Sequence, residues 1–166
     1  MVRAMLRLRN RQRLRRKEAA DLAARLSSEF GCTAFDPDRP VDTAEADGFR
    51  VVLVDGAAVA MYEGDRPTLT VRGVIAYHPT KRHVTVDMGA VKFLYNGADV
   101  MAPGIVEADP AIEVGDFVWV RDERNRQPLA VGEALMTGAE MSARERGKSV
   151  KTLHHVGDDL WKLEES

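Results

Sequence analysis

The stretch Val86-Asp87-Met88-Gly89-Ala90-Val91-Lys92-Phe93-Leu94-Tyr95-Asn96-Gly97-Ala98-Asp99-Val100-Met101-Ala102-Pro103-Gly104-Ile105 decides how the second half of this 166-residue chain is read. Met88 to Tyr95 is compatible with a helix, and Asn96-Gly97 stops it, because glycine reaches positive φ at no steric cost. Val100-Met101 reads as extended and Pro103-Gly104 as a tight turn. Upstream, Val84 to Val86 is a strand. Downstream, Gly115-Asp116 turns into an alternating strand from Phe117 to Arg121, and Leu129 to Leu135 is a further strand interrupted by Gly132. Thr137 to Gly147 reads as a turn followed by one or two helical turns. Lys151 to Val156 and Leu160 to Leu163 finish as short strands joined at Gly157-Asp158. Several short strands at roughly regular spacing predict a small barrel.

The first half reads differently. Met5 to Arg9 alternates as a short strand with one basic face. From about Leu14 the period changes, and Ala19, Leu22, Ala23, Leu26 and Phe30 fall on one helical stripe that Gly31 would cap. Asp36 to Asp47 holds two prolines and many acids and reads as a surface loop. Phe49 to Asp55, the Asp55-Gly56 hairpin signal and Ala57 to Tyr62 predict two paired strands. Glu63 to Pro67 is a turn and Thr68 to Val71 another strand. Residues 1–80 therefore form one helix on a small antiparallel sheet, with a junction at Tyr77 to Arg82. The fold class is α+β, a small N-terminal α/β domain followed by the barrel at 83–163.

Charge is unevenly placed. Residues 1–17 carry eight basic side chains and no acid, while the remainder holds 16 basic and 26 acidic residues, a split of +8 and −10. Such a split points to an anionic partner, RNA or an acidic protein, against the plainer reading of a solvated basic face. At 45% hydrophobic the chain is too apolar for intrinsic disorder. No apolar run approaches the roughly 18–20 residues of a membrane span. The start lacks the apolar core of a secretory signal. The single Cys32 forbids an internal disulfide and a cysteine-based zinc site, and a reducing cytoplasm is the expected location.

The quoted stretch resembles a PUA domain, the RNA-binding module named after pseudouridine synthase and archaeosine transglycosylase. The segments Gly115-Asp116-Phe117-Val118-Trp119-Val120 and Ala130-Val131-Gly132-Glu133-Ala134 fall where such a domain places its next strands. The segment from Asp55-Gly56 through Pro67-Thr68-Leu69 to His78-Pro79 resembles the N-terminal domain of the malignant-T-cell-amplified-sequence family. The ending from Gly147 to Lys162, with His154-His155 and Leu160-Trp161, is similar to that family as well. A basic segment like Leu14-Arg15-Arg16-Lys17-Glu18 resembles the start of its archaeal members. The resemblance implies a PUA pseudo-barrel with two helices. It also implies a role in ribosome recycling or translation reinitiation, on the small ribosomal subunit, with a partner carrying an initiation-factor-like domain.

Within that frame the RNA-contacting candidates are Lys92, Asn96, Gly97, Met101, Pro103, Gly104, Arg144, Lys148 and Lys151, together with Arg7 and Arg9. Gly104 lacks a Cβ and would let a polynucleotide approach the main chain. Pro103 stiffens the turn, which lowers the entropy lost on binding. Main-chain N–H groups around Gly89 and Gly97 would donate to phosphate or base edges. Lys92 is the nearest cation. Arg144, Arg146, Lys148 and Lys151 form a basic cluster that is equally well a solvated helix end. Met101 and Tyr95 are candidates for stacking on a base, whereas Phe93 and Val91 are expected in the core. Arg7, Arg9, Arg11 and Arg13, spaced by two, would line one face of a strand and track a phosphate backbone.

Catalysis is not expected. His78, His83, His154 and His155 match no metal-binding spacing, and there is no nucleophile elbow, P-loop or dinucleotide fingerprint. Cys32 has no evident base. Neither cofactor nor metal is expected. The expected function is a non-catalytic RNA-binding protein contacting ribosomal or transfer RNA in translation. The alternatives are an accessory RNA-presenting subunit of an RNA-modifying enzyme and a protein–protein adaptor.

Overall fold

The computed structural model describes residues 8–46 and 48–163. They divide into two compact units, one of residues up to 79 together with those from 159 onward, the other Thr80–Asp158.

In the first unit, β1 (Arg9–Arg13) and α1 (Arg16–Phe30) precede β2 (Val41–Ala46), β3 (Phe49–Val54), β4 (Ala57–Glu63), β5 (Arg66–Leu69) and α2 (Val71–Tyr77). The five strands form an antiparallel meander in chain order. The apolar stripe predicted for α1 is its buried face: Ala19, Leu22, Ala23, Leu26 and Phe30 are all buried, and Gly31 caps the helix at φ 65°. Asp55 and Gly56 turn β3 into β4 with both φ values positive, 51° and 82°, which suits the right-handed twist of a hairpin.

Three expectations fail here, each for a local reason. Asp36 to Asp47 is not all loop, because residues 41–46 form β2, an inner strand between β1 and β3. Its acids have cross-strand partners. Asp42, almost buried, receives Arg11 (2.7 Å) and Arg13 of β1, and Glu45 accepts from Asn10 at 2.8 Å. Two of the four arginines expected to line an open stripe, Arg11 and Arg13, therefore fold onto a carboxylate instead. The predicted strand at 68–71 ends at Leu69, and Thr70 starts α2 by accepting the Gly73 N–H at 3.1 Å. Residues 160–163 form a turn rather than a strand. Leu160 is buried, and Trp161 lies under the Arg72 guanidinium, 4.1 Å from the ring centroid. The expected strand at Met5 to Arg9 lies outside the described residues except for its end, where β1 begins.

In the second unit, β6 (His83–Val86) leads into α3 (Met88–Leu94), β7 (Val100–Met101) and a 3-10 turn (Ala102–Gly104). β8 (Ile105–Ala108), β9 (Phe117–Asp122), β10 (Pro128–Ala134), α4 (Gly138–Ala143) and β11 (Lys148–His155) complete it. The sheet order is β7-β11-β10-β9-β6-β8, and only β6 and β9 run parallel. The sheet nearly closes into a barrel around Val84, Val86, Leu94, Ile105, Val118 and Val120. The fold is thus mixed α and β with a PUA-like barrel, and the two helices of the barrel are α3 and α4. β8 is a strand that periodicity alone does not reveal. The adjacent histidines of β11 point to opposite faces, as strand geometry requires. His154 is buried with Nδ1 2.8 Å from Asp158, and His155 is half-buried.

Glycine marks where backbone approaches backbone, as at Gly73 and Gly132. A Cβ on Gly73 would stand 2.0 Å from the Val59 carbonyl oxygen, and one on Gly132 would stand 2.3 Å from that of Lys151. Neither neighbour is a flexible side-chain end, so Gly73→Ala and Gly132→Ala should each destabilise by about 1–3 kcal/mol, measured by denaturant unfolding. A second test concerns acid. Burial pushes the Asp42 carboxyl up, but the hydrogen bonds from Arg13 and Arg11 outweigh it and hold the group below the ordinary carboxylate range. A carboxylate depressed in the folded state stabilises above its unfolded pKa of about 3.9, and that contribution is lost as pH falls through the folded value. Asp42→Asn should therefore lower stability at neutral pH and flatten its decline between about pH 4 and pH 2.

Candidate nucleic-acid interface

The quoted stretch folds into one wall and one rim of an open groove in the second unit. Asp87 builds its start. The Asp87 side chain accepts the Ala90 N–H at 3.0 Å and so caps α3, while its own N–H donates to the Gly104 carbonyl at 2.9 Å. The first turn of α3 is thereby tied to the 3-10 turn. At the other end, Gly97 takes φ 83°, its N–H donates to Leu94 O at 3.0 Å, and the Ala98 N–H donates to Phe93 O at 3.0 Å. The chain then reverses into β7, where Met101 faces Lys148 and Val100 faces Val150 across the ladder with β11. The Ala102 N–H to the Gly147 carbonyl, 2.9 Å, adds the α4–β11 loop to this rim.

The cavity measures about 510 Å³, and nine of its eleven lining residues are apolar or glycine. Leu94 is its buried floor. Phe93 and Met101 stand 57% and 47% exposed, and Tyr95, at 46%, extends the apolar surface beyond the groove. Exposed apolar groups clustered in this way mark a binding surface more often than chance scatter does. Cations surround them. Arg144, in left-handed conformation at the end of α4, donates to the Pro103 carbonyl at 3.0 Å. Lys148 Nζ lies 3.4 Å from Asp99 Oδ2, and Lys92 Nζ lies 5.2 Å from the centroid of the Phe93 ring. Asp99 is in turn held by the Thr152 N–H, 2.9 Å from its Oδ1.

Of the residues singled out from sequence, Met101, Pro103 and Gly104 line the groove, and Lys92, Arg144 and Lys148 stand around it through the contacts just given. Gly97 shapes the turn, but its N–H is engaged by Leu94 O and is no donor for a ligand. Asn96 donates its side-chain amide to Lys92 O at 3.1 Å, so it caps its own helix. Lys151 is exposed further along β11, opposite Glu133 of β10. Arg146 lines a smaller cavity of about 300 Å³ with Met136 and Glu140. Arg9 belongs to the first unit, opposite Glu45, and Arg7 lies outside the described residues. Phe93 corrects the core expectation. Ala90, Val91 and Leu94 form the inward stripe of α3, and Phe93 falls to one side of it. That offset is legible from a helical projection. Asp99 had no sequence signal, because its role depends on β11 lying beside it.

Burial pushes the Cys32 thiol up, away from a reactive thiolate. Burial, then the charge of Arg121, lowers His83, whose ring meets Trp119 edge-on at 6.3 Å. Among the described residues no group of three histidine, cysteine or acidic side chains is placed to hold a metal. No helix among them is long and apolar enough to cross a membrane.

Comparison with known proteins places this geometry. Residues 82–156 match the family model of the PUA domain. An uncharacterized protein of Methanocaldococcus jannaschii is 47% identical over 121 residues, which is 73% of this chain and 75% of that one. Translation machinery-associated protein 20 of Saccharomyces cerevisiae is 31% identical over 69% of this chain and 67% of its own. Among solved structures, a hypothetical protein of Pyrococcus horikoshii superposes with a TM-score of 0.82 at 36% identity, covering 92% of this chain and 98% of that one. With a PUA barrel at 82–156 and relatives that extend the match across most of its length, the chain belongs to the family of the translation machinery-associated and malignant T-cell-amplified sequence proteins.

Proposed function

We propose that this chain is a non-catalytic RNA-binding factor of the translation machinery, and that it holds an unpaired stretch of ribosomal or transfer RNA in the α3–β7 groove. The observation that carries the reading is the exposed Phe93 and Met101 facing an open apolar groove with Arg144, Lys148 and Lys92 around it. Apolar and aromatic walls suit the face of a base, and stacking of this kind contributes about 1–3 kcal/mol per base. The cations suit the flanking phosphates, each of which releases condensed counterions when neutralised. Gly104 keeps the mouth clear: a Cβ there would only just touch Ala90, at 3.5 Å, so any larger side chain would project into the groove.

Translation association is supported by the names of the relatives, among them the yeast translation machinery-associated protein. In this reading the chain works on the small ribosomal subunit and is joined there by a protein partner with an initiation-factor-like domain.

Binding of labelled tRNA and of isolated small ribosomal subunits, titrated from 50 to 200 mM salt, tests the proposal. For three phosphate contacts the slope of log affinity against log salt should be about −2, and Lys148→Ala should reduce it by about 0.7. Phe93→Ala should weaken binding about tenfold while changing stability by no more than about 0.5 kcal/mol, since the ring is largely in solvent. Gly104→Leu should abolish binding in the groove. Salt-insensitive affinity, or affinity untouched by Phe93→Ala and Gly104→Leu together, contradicts the proposal.

A further inference from the structure

We propose that the groove selects the base it holds by that base's edge: the Asp99 carboxylate accepts a hydrogen bond from an exocyclic amino group, so that cytosine is preferred to uracil. This rests on the reading of the groove as an RNA site and adds to it the chemistry of the occupant.

The argument begins with what the groove lacks. Its lining offers two polar side chains, Asp87 and Asp99, and both are carboxylates. Neither donates, and their charge disfavours a phosphate inside the groove. A phosphate therefore stays on the rim with Lys148 and Arg144, and the group that enters is the base. Asp87 caps the start of α3, with Oδ1 on the Ala90 N–H, whereas Asp99 stands beside Lys148, where the phosphate is held.

Asp99 is built to be presented. Its Oδ1 accepts the Thr152 N–H at 2.9 Å, and the Thr152 hydroxyl donates to the Ala98 carbonyl at 2.9 Å, which fixes the strand entry that carries the carboxylate. Its Oδ2 meets Lys148 Nζ at 3.4 Å, and the side chain remains 28% exposed. An ionised carboxylate accepts about four hydrogen bonds, so two contacts leave acceptor capacity on both oxygens. Cytosine and uracil present the same face to Phe93 and Met101 and differ along one edge, at ring positions 3 and 4. At position 4 cytosine has an amino donor, while uracil has a carbonyl acceptor that would meet Asp99 as like against like; the one donor of uracil on that edge is its N3–H, one ring position further in, where cytosine has an acceptor. Stacking cannot tell the two apart, whereas the carboxylate can.

The experiment titrates the full chain against fluorescein-labelled oligoribonucleotides rC8 and rU8 by anisotropy. The expected result is about tenfold tighter binding of rC8. In Asp99→Asn the preference should vanish or reverse, because the amide oxygen still serves the Thr152 N–H and the amino group that replaces Oδ2 is a donor, which suits the carbonyl of uracil. Lys148→Gln should weaken both strands and leave the ratio unchanged. A strand of N4,N4-dimethylcytidine, which has lost the donor, should bind the unaltered chain no better than rU8, and this holds even if Asp99→Asn fails to fold. Equal binding of rC8 and rU8, a preference that survives Asp99→Asn or dimethylation, or one that vanishes in Lys148→Gln overturns the proposal. If neither strand binds, or if Gly104→Leu leaves both unchanged, the groove is not an RNA site and the underlying reading fails instead.

Discussion

The bond from the Asp87 N–H to the Gly104 carbonyl, together with the Asp87 cap on α3, is the constraint on which the site depends. It ties the first turn of a short helix to a 3-10 turn well along the chain, and the helix–loop–strand excursion between them is closed at its far end by Gly97. α3 has seven residues, too few to be stable in isolation, so its position comes from these ties and from the burial of Leu94. The consequence is a helix anchored by one inward stripe, with Phe93 left facing solvent beside Met101. An exposed cluster of this kind adds nothing evident to the stability of the unit, which makes sense if a ligand covers it.

Electrostatics follow a similar division. The basic start of the chain looks from composition like the polyanion-binding element. In the structure Arg11 and Arg13 lie on Asp42, and Arg16 lies beside Asp38. The two pairs on Asp42 hold an edge strand onto β2 and lower the cost of placing an acid on an inner strand. The cations near the groove come from elsewhere, Lys92 from α3 and Arg144 and Lys148 from the two ends of the α4–β11 connection. Arg144 and Lys148 reach it because β11 pairs with β7 and because Arg144 bonds the Pro103 carbonyl. Their partners are a main-chain oxygen and a half-buried carboxylate, and a phosphate can share or replace both contacts.

Much of this was legible in the sequence, for reasons that can be named. α1 was readable because five apolar residues fall at helical spacing before a glycine. The β3–β4 hairpin was readable because Asp-Gly supplies two residues at positive φ. The groove's turn was readable from Asn96-Gly97 and Pro103-Gly104. What stayed hidden depends on neighbours distant in sequence. β2 looked like loop because its acids are intelligible only opposite the arginines of β1. α2 had no clear signal, since the expected strand at Thr68 to Val71 stops where the helix begins, and its helical state rests on the Thr70 cap and on Gly73 lying against Val59. Phe93 was assigned to the core by residue type, although the stripe of Ala90, Val91 and Leu94 already excluded it. Asp99 and Lys148 meet only through the β7–β11 ladder, which no local pattern encodes.

The most direct measurement is a nitrogen–proton NMR titration of the full chain with rC8 at low salt. The account predicts that the largest shift changes fall on backbone amides of the groove, at Gly89, Phe93, Asp99, Met101 and Gly104, with smaller ones at Arg144 and Lys148. Changes confined to β1 and the basic start, or the absence of any change in the groove at saturating RNA, would contradict it.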